Sequence, residues 1–152
     1  MHGSNTRLAK LAGGMLLLAA LLLISGCTSF NHDWKKAAAQ PPPSDSMLGR
    51  WQGTWTSDVN HHTGELRCVV TRKDDGTSLA RFHAKYNQVL SFGYTVPLKV
   101  ETGTNGFKFG GQANLHWYAG GIYHYDGHAG TTNFFSTYSC KYDHGTFQMS
   151  RP

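Results

Sequence analysis

The sequence predicts an all-β domain: a small antiparallel meander β-barrel of eight or nine strands, with a two-sheet β-sandwich as the alternative. Three observations lead there. Apolar residues recur at every second position through most of residues 48–152. The breaks between these runs carry Gly, Asn and Asp, the residues that tight turns favour. After the leader, no segment shows a convincing 3.6-residue period. So many short strands in about 105 residues favour closure, because a closed sheet has no exposed edge.

The chain begins with an address. Residues 1–10 are polar and carry Arg7 and Lys10 but no acid, and Leu11 to Ile24 form an apolar run interrupted by Gly13 and Gly14. That is the pattern of a helical, cleaved secretory signal peptide, shorter than the roughly 20 apolar residues that span a bilayer. The run ends Leu23-Ile24-Ser25-Gly26-Cys27, which resembles the lipobox of bacterial lipoproteins: a branched apolar residue, two small residues, then cysteine. The resemblance covers the first 27 residues. It implies cleavage after Gly26, a diacylglyceryl group on the Cys27 thiol and acylation of the new amine. Three acyl chains exceed the two signals that stable anchoring usually takes. An ordinary secretory signal or an uncleaved anchor helix is the alternative. Thr28 stands where an Asp often marks inner-membrane retention, which points to an outer membrane, facing periplasm or surface.

Residues 27–47 read as the lipidated cysteine and a Pro/Ala-rich tether. Ala37-Ala38-Ala39 and Pro41-Pro42-Pro43 suggest a semi-rigid spacer from the bilayer. Trp34 with Lys35-Lys36 either touches the membrane interface or sits in a solvated linker.

From Leu48 the strands follow, expected near 49–57, 64–73, 78–88, 90–101, 106–111, 114–118, 121–126, 132–142 and 145–151. The clearest is the fourth, apolar at Leu90, Phe92, Tyr94, Val96, Leu98 and Val100. Pro97 lacks a donor and marks a bulge, a bend or an edge. Leu66, Cys68 and Val70 form another inward face, as do Ala80, Phe82, Ala84 and Tyr86, with His83 outward. Phe107 and Phe109, then Phe134, Tyr138, Cys140 and Tyr142, then Phe147 and Met149 complete the series. Asp75-Gly76, Asn105-Gly106 and His144-Gly145 are hairpin candidates; Gly110-Gly111, Gly120-Gly121 and Asp126-Gly127 read as further corners.

The first strand opens Gly49-Arg50-Trp51, and a Gly-x-Trp at the head of an antiparallel meander resembles the start of lipocalins and related calycin barrels. The resemblance implies that Trp51 packs at the closed end of the barrel beneath a basic residue of the last strand, here Arg151. Such a stack is a cation–π contact of about 0.5–2 kcal/mol. The chain is shorter than a typical lipocalin, shows no pattern for the usual C-terminal helix and carries no other motif of that family. These departures bear on the cavity, since Trp, Phe, Tyr and Leu at most inward layers can fill a small barrel.

Charge excludes little but weakens one reading. Fourteen Lys and Arg face nine Asp and Glu, and Arg7 and Lys10 leave with the leader. The remaining excess of three has no basic cluster longer than a pair, so a phosphate-binding stripe is not expected and no nucleic-acid partner is assigned. Cys68 and Cys140 are the cysteines left after Cys27 is lipidated, and export to an oxidising compartment makes a disulfide between them the expectation, with two buried thiols as the alternative. Of the nine histidines, His116 and His124 fall on neighbouring short strands and are the candidates for a metal or haem. No zinc-type spacing supports them. Neither a Gly-x-Ser-x-Gly elbow nor a phosphate-cradling loop is present, and no cofactor and no enzyme activity are expected.

The resulting expectation is a non-enzymatic, lipid-anchored envelope protein. Its barrel binds a small or lipidic ligand at the open end, with Trp117, Tyr123 and Tyr125 as contact residues. The alternative is an envelope interaction module with a packed barrel, presenting aromatic and histidine-rich loops to another protein. A histidine-based metal or haem binder ranks below both.

Overall fold

A computed structural model describes residues 29–152 apart from 43–44, 88–89 and the side chain of Tyr118. The leader and Cys27 lie outside the described residues. Residues 29–38 form a helix, α1. Eight strands follow: β1 (Gly49–Ser57), β2 (Thr63–Arg72), β3 (Ser78–Tyr86), β4 (Leu90–Gly103), β5 (Gly106–Asn114), β6 (Ile122–Ala129), β7 (Asn133–Ser139) and β8 (His144–Ser150). Each pairs antiparallel with its sequence neighbour, and β8 returns to β1, Trp55 opposite Phe147, so the sheet closes into a barrel. This closed eight-stranded antiparallel barrel is consistent with a lipocalin-like one.

Alternation sends Trp51, Leu66, Cys68, Val70, Ala80, Phe82, Val96, Leu98, Phe109, Phe134, Phe147 and Met149 inward to a common core. The meander puts four connections at one end and three at the other. The end that holds Gly49, Arg72 and Ser150 is plugged; the end that holds Ser57, Tyr86 and Asn114 is open.

The two expected strands at 106–111 and 114–118 are one. β5 runs unbroken through Gly110-Gly111, and residues 115–121 form a loop with a 3₁₀ turn at Trp117–Ala119. Gly111 is not a corner; a Cβ there would lie 2.5 Å from the Pro97 carbonyl oxygen. Asp126-Gly127 is not one either. Gly127 lies inside β6, where a Cβ would meet the Phe135 carbonyl at 2.3 Å. Both glycines serve close approach of backbone, which composition does not distinguish from a turn. His144-Gly145 likewise opens β8, and the turn before it is closed by Cys140 N–H donating to the Asp143 carbonyl at 2.8 Å.

The helix also departs from expectation. In α1, Phe30, Asp33, Trp34 and Ala37 share a face, at the spacing that one helix side requires. That face lies on the outer wall of β2 and β3. Phe30 is 1% exposed and stacks on His83 at 5.0 Å between ring centroids. Arg67 lies 5.4 Å from both the Phe30 and Trp34 rings, and Arg50 lies 5.1 Å from Trp34. Asp33 pairs with Arg81. His83 and Val69 point outward from the barrel yet are buried, because the helix covers them. Two aromatics in ten residues are too faint a period to read without that partner surface.

Candidate functional site

The closed end is built first. The Trp51 indole is fully buried, donates from Nε1 to the Met47 carbonyl at 2.9 Å and packs on Phe134. The Arg151 guanidinium lies 3.7 Å over the Trp51 ring. Its Nη1 donates to the Leu48 carbonyl at 2.7 Å and the Arg50 carbonyl at 3.2 Å, its Nη2 to the Ser46 carbonyl at 2.7 Å and its Nε to the Thr131 carbonyl at 3.2 Å. One flat cation thus satisfies four backbone acceptors from two chain segments, residues 46–50 and Thr131. Trp51 and Arg151, widely separated in sequence, meet here.

Toward the other end the packing stops at a layer of stacked rings. Phe82, Tyr94 and Tyr125 stack on one another, with centroids 5.3 Å apart for Phe82–Tyr94 and 6.1 Å for the other two pairs. Above them opens a cavity of about 610 Å³ whose wall includes Trp55, Tyr86, Phe92, Tyr123, Tyr138 and Phe147. That volume falls in the usual range for small-molecule sites.

Local chemistry fixes several of these rings. Trp55 donates from Nε1 to the Lys85 carbonyl at 2.9 Å, so its indole reaches across β2 to β3. It does so over Gly64, where a Cβ would stand 2.7 Å from Nε1. The Tyr86 hydroxyl lies 2.6 Å from His62 Nδ1. Asp143 accepts from the Ser57 hydroxyl at 2.6 Å and from the Tyr138 hydroxyl at 3.1 Å. Burial, followed by the Asp143 carboxylate, pushes the Tyr138 phenol well above its ordinary value. Burial likewise raises Tyr94, Tyr123 and Tyr125. The cavity is thus lined by neutral phenols.

The mouth is widened on one side. The β4–β5 ladder runs from Gly103 opposite Gly106 to Leu98 opposite Gly111 and goes no further. Above it, Leu90 to Pro97 pair with β3, and Gln112 to Asn114 pair with β6. Pro97, which has no N–H to give, sits where β4 parts from β5. Along β4 the apolar face consequently emerges from the barrel, from buried Leu98 and Val96 to Phe92 and to Leu90, 64% exposed.

Of the expected contact residues, Tyr123 and Tyr125 line the cavity, while Trp117 stands 87% exposed on the 3₁₀ turn outside it. His116 borders the cavity with φ 66° and ψ 164°, a backbone conformation that side-chain-bearing residues rarely adopt. His124 faces outward, opposite Gln112 and Ser139, so the two histidines lie on different faces of the wall. Among the described residues no group of three or more His, Cys, Asp or Glu side chains comes together. The expected Cys68–Cys140 disulfide is absent, and both thiols are free. Cys68 is buried in β2 opposite Trp51 and Phe82, whereas Cys140 follows β7 beside Gly120. β8 and β1 intervene, and Cys140 lies beyond Ser139 at the open end while Cys68 pairs with Trp51 deeper in the wall, so the two thiols are not neighbours. Burial holds the Cys68 thiol protonated well above its ordinary value. Sequence reasoning missed Trp55, Tyr86 and Asp143 as cavity residues, and Ser57 as the donor that holds Asp143. The stretch 117–125 stood out by aromatic density, whereas these four converge from β1, β3 and the β7–β8 turn.

No family model, curated protein or solved structure matches the chain.

Proposed function

We propose that the protein is a non-enzymatic envelope lipoprotein, anchored through acyl groups on Cys27, whose barrel binds a small or lipidic ligand. The observation that carries the binding half is the aromatic-lined cavity of about 610 Å³ above a packed floor. Support for the anchor comes from the lipobox-like Leu23–Cys27 run, and the lack of an Asp after Cys27 favours an outer membrane. The parted β4 and β5 suit an apolar ligand, since Leu90 and Phe92 line one lip with exposed apolar surface. Native mass spectrometry of the protein exported to a periplasm tests binding. A discrete adduct released on mild activation supports it, and an apo mass under the same conditions argues against it. Cys27→Ser, followed by membrane fractionation, tests the anchor: the variant should leave the membrane fraction.

A second reading, an interaction module of the envelope, is favoured by a specific observation. Val59, Leu90, Phe92, Trp117, Ile122 and Tyr142 are the exposed large apolar side chains among the described residues, and all lie at the open end. An apolar rim of that kind suits contact with another envelope component. Crosslinking from position 117 in intact cells separates the readings, since a protein adduct there supports the module.

A further inference from the structure

We propose that the open-end cavity takes an organic cation, an alkylated or aryl-alkyl ammonium group held among aromatic faces and drawn in by the Asp143 carboxylate. The inference rests on the ligand-binding reading above and names the ligand class for it. Trp55, Tyr86, Tyr94, Tyr123, Tyr138 and Phe147 supply the wall. Aromatic faces are electron-rich, and cages of several such rings favour a desolvated ammonium over a neutral group of the same shape.

Charge points the same way. Asp143 is the one Asp or Glu on the wall, and no Lys or Arg is part of it among the described residues. Its oxygens accept from Ser57 and Tyr138, both neutral donors, and the ion pairs of the described residues do not include it. Its field reaches two further wall residues, disfavouring ionisation of Tyr123 and Tyr138. The nearby cations are engaged elsewhere: Lys85 pairs with Glu65 at 2.6 Å, and Lys141 lies 5.1 Å from the exposed Tyr142 ring. A carboxylate or phosphate in this space would meet a like charge with no counter-ion.

The test uses the full chain, purified as the cell processes it, and isothermal titration with three probes of one size. These are benzyltrimethylammonium, its uncharged carbon isostere 2,2-dimethylpropylbenzene, and 3-phenylpropanoate. The cation is expected to bind about tenfold more tightly than the isostere, and the carboxylate not at all. Asp143→Asn should remove most of that preference, read as the ratio of cation to isostere affinity. Because that change also touches Ser57 and Tyr138, Asp143→Glu, which keeps the charge, is the second variant and should retain the preference. Equal binding of cation and isostere, or preference for the carboxylate, overturns the cation assignment and leaves the ligand-binding reading standing. Binding of none of the three, together with an apo mass by native mass spectrometry, overturns both.

Discussion

The two ends of this barrel are made from the same kinds of residue and behave as opposites. Each has a β1 tryptophan whose indole N–H reaches a backbone carbonyl, Trp51 to Met47 and Trp55 to Lys85. At the closed end Arg151 then covers the ring and ties the last strand to residues 46–50 and to Thr131, and no large apolar side chain of the described residues is left exposed there. At the open end no cation of the described residues lies over Trp55, which stacks instead on Tyr86 at 6.0 Å. The floor is a layer of stacked rings, the wall parts between β4 and β5, and three of the four described non-glycine residues with positive φ, His61, Asn87 and His116, sit in its loops. One planar cation with matching carbonyls separates a plug from a mouth. The tightest packing thus lies at one end and the cavity at the other.

The largest effect should come from the tryptophans themselves. Trp51→Ala removes a fully buried ring and should cost about 3–5 kcal/mol in urea unfolding, whereas Trp55→Ala, beside existing space, should cost roughly half as much. Equal costs would break the comparison. Next is Arg151→Ala, expected to lose about 2–3 kcal/mol from the stacking and the backbone acceptors left unpaired. Arg151→Lys should recover less than half, because an ammonium cannot reproduce the fork. Phe30→Ala should cost about 1–3 kcal/mol and speed hydrogen exchange of residues 29–38, since the ring holds α1 to the wall.

A smaller effect should follow pH. Burial first, then Arg67 and Lys85, hold His83 below its ordinary value of 6.5, so the folded protein binds that proton less readily than the unfolded chain. Stability should be full above about pH 6.5 and decline as pH falls below it. His83→Gln should flatten that part of the curve measured by denaturation from pH 7.5 to 5.5. The smallest change is expected at the rim: Trp117→Ser should shift unfolding by no more than about 0.5 kcal/mol, because the side chain is almost wholly exposed.

Much of the fold was legible because alternation is local. The period-two faces of β2, β3 and β8 and the span of β1 agree with the structure almost residue for residue. Glycine was the weakest guide, since Gly111 and Gly127 are needed for backbone packing within strands and Gly120 for a corner, and one residue type carries both signals. α1 escaped notice because its apolar face has meaning only against β2 and β3. The candidate site was half legible. Tyr123 and Tyr125 stood in an aromatic-rich stretch, but Trp55, Tyr86 and Asp143 lie far from it in sequence.

By itself, then, the sequence determined the alternating strands and their meander order, because both follow from side-chain period and short connections, whereas the meeting of Trp51 and Arg151 was implied by the resemblance to calycin barrels. Only the tertiary structure decided which glycines bend and which pack, that Cys68 and Cys140 stay apart, that α1 docks, and that the interior is filled below Tyr94 and hollow above it. Those outcomes depend on distances across the ring, and no local pattern encodes a distance between strands that are not neighbours.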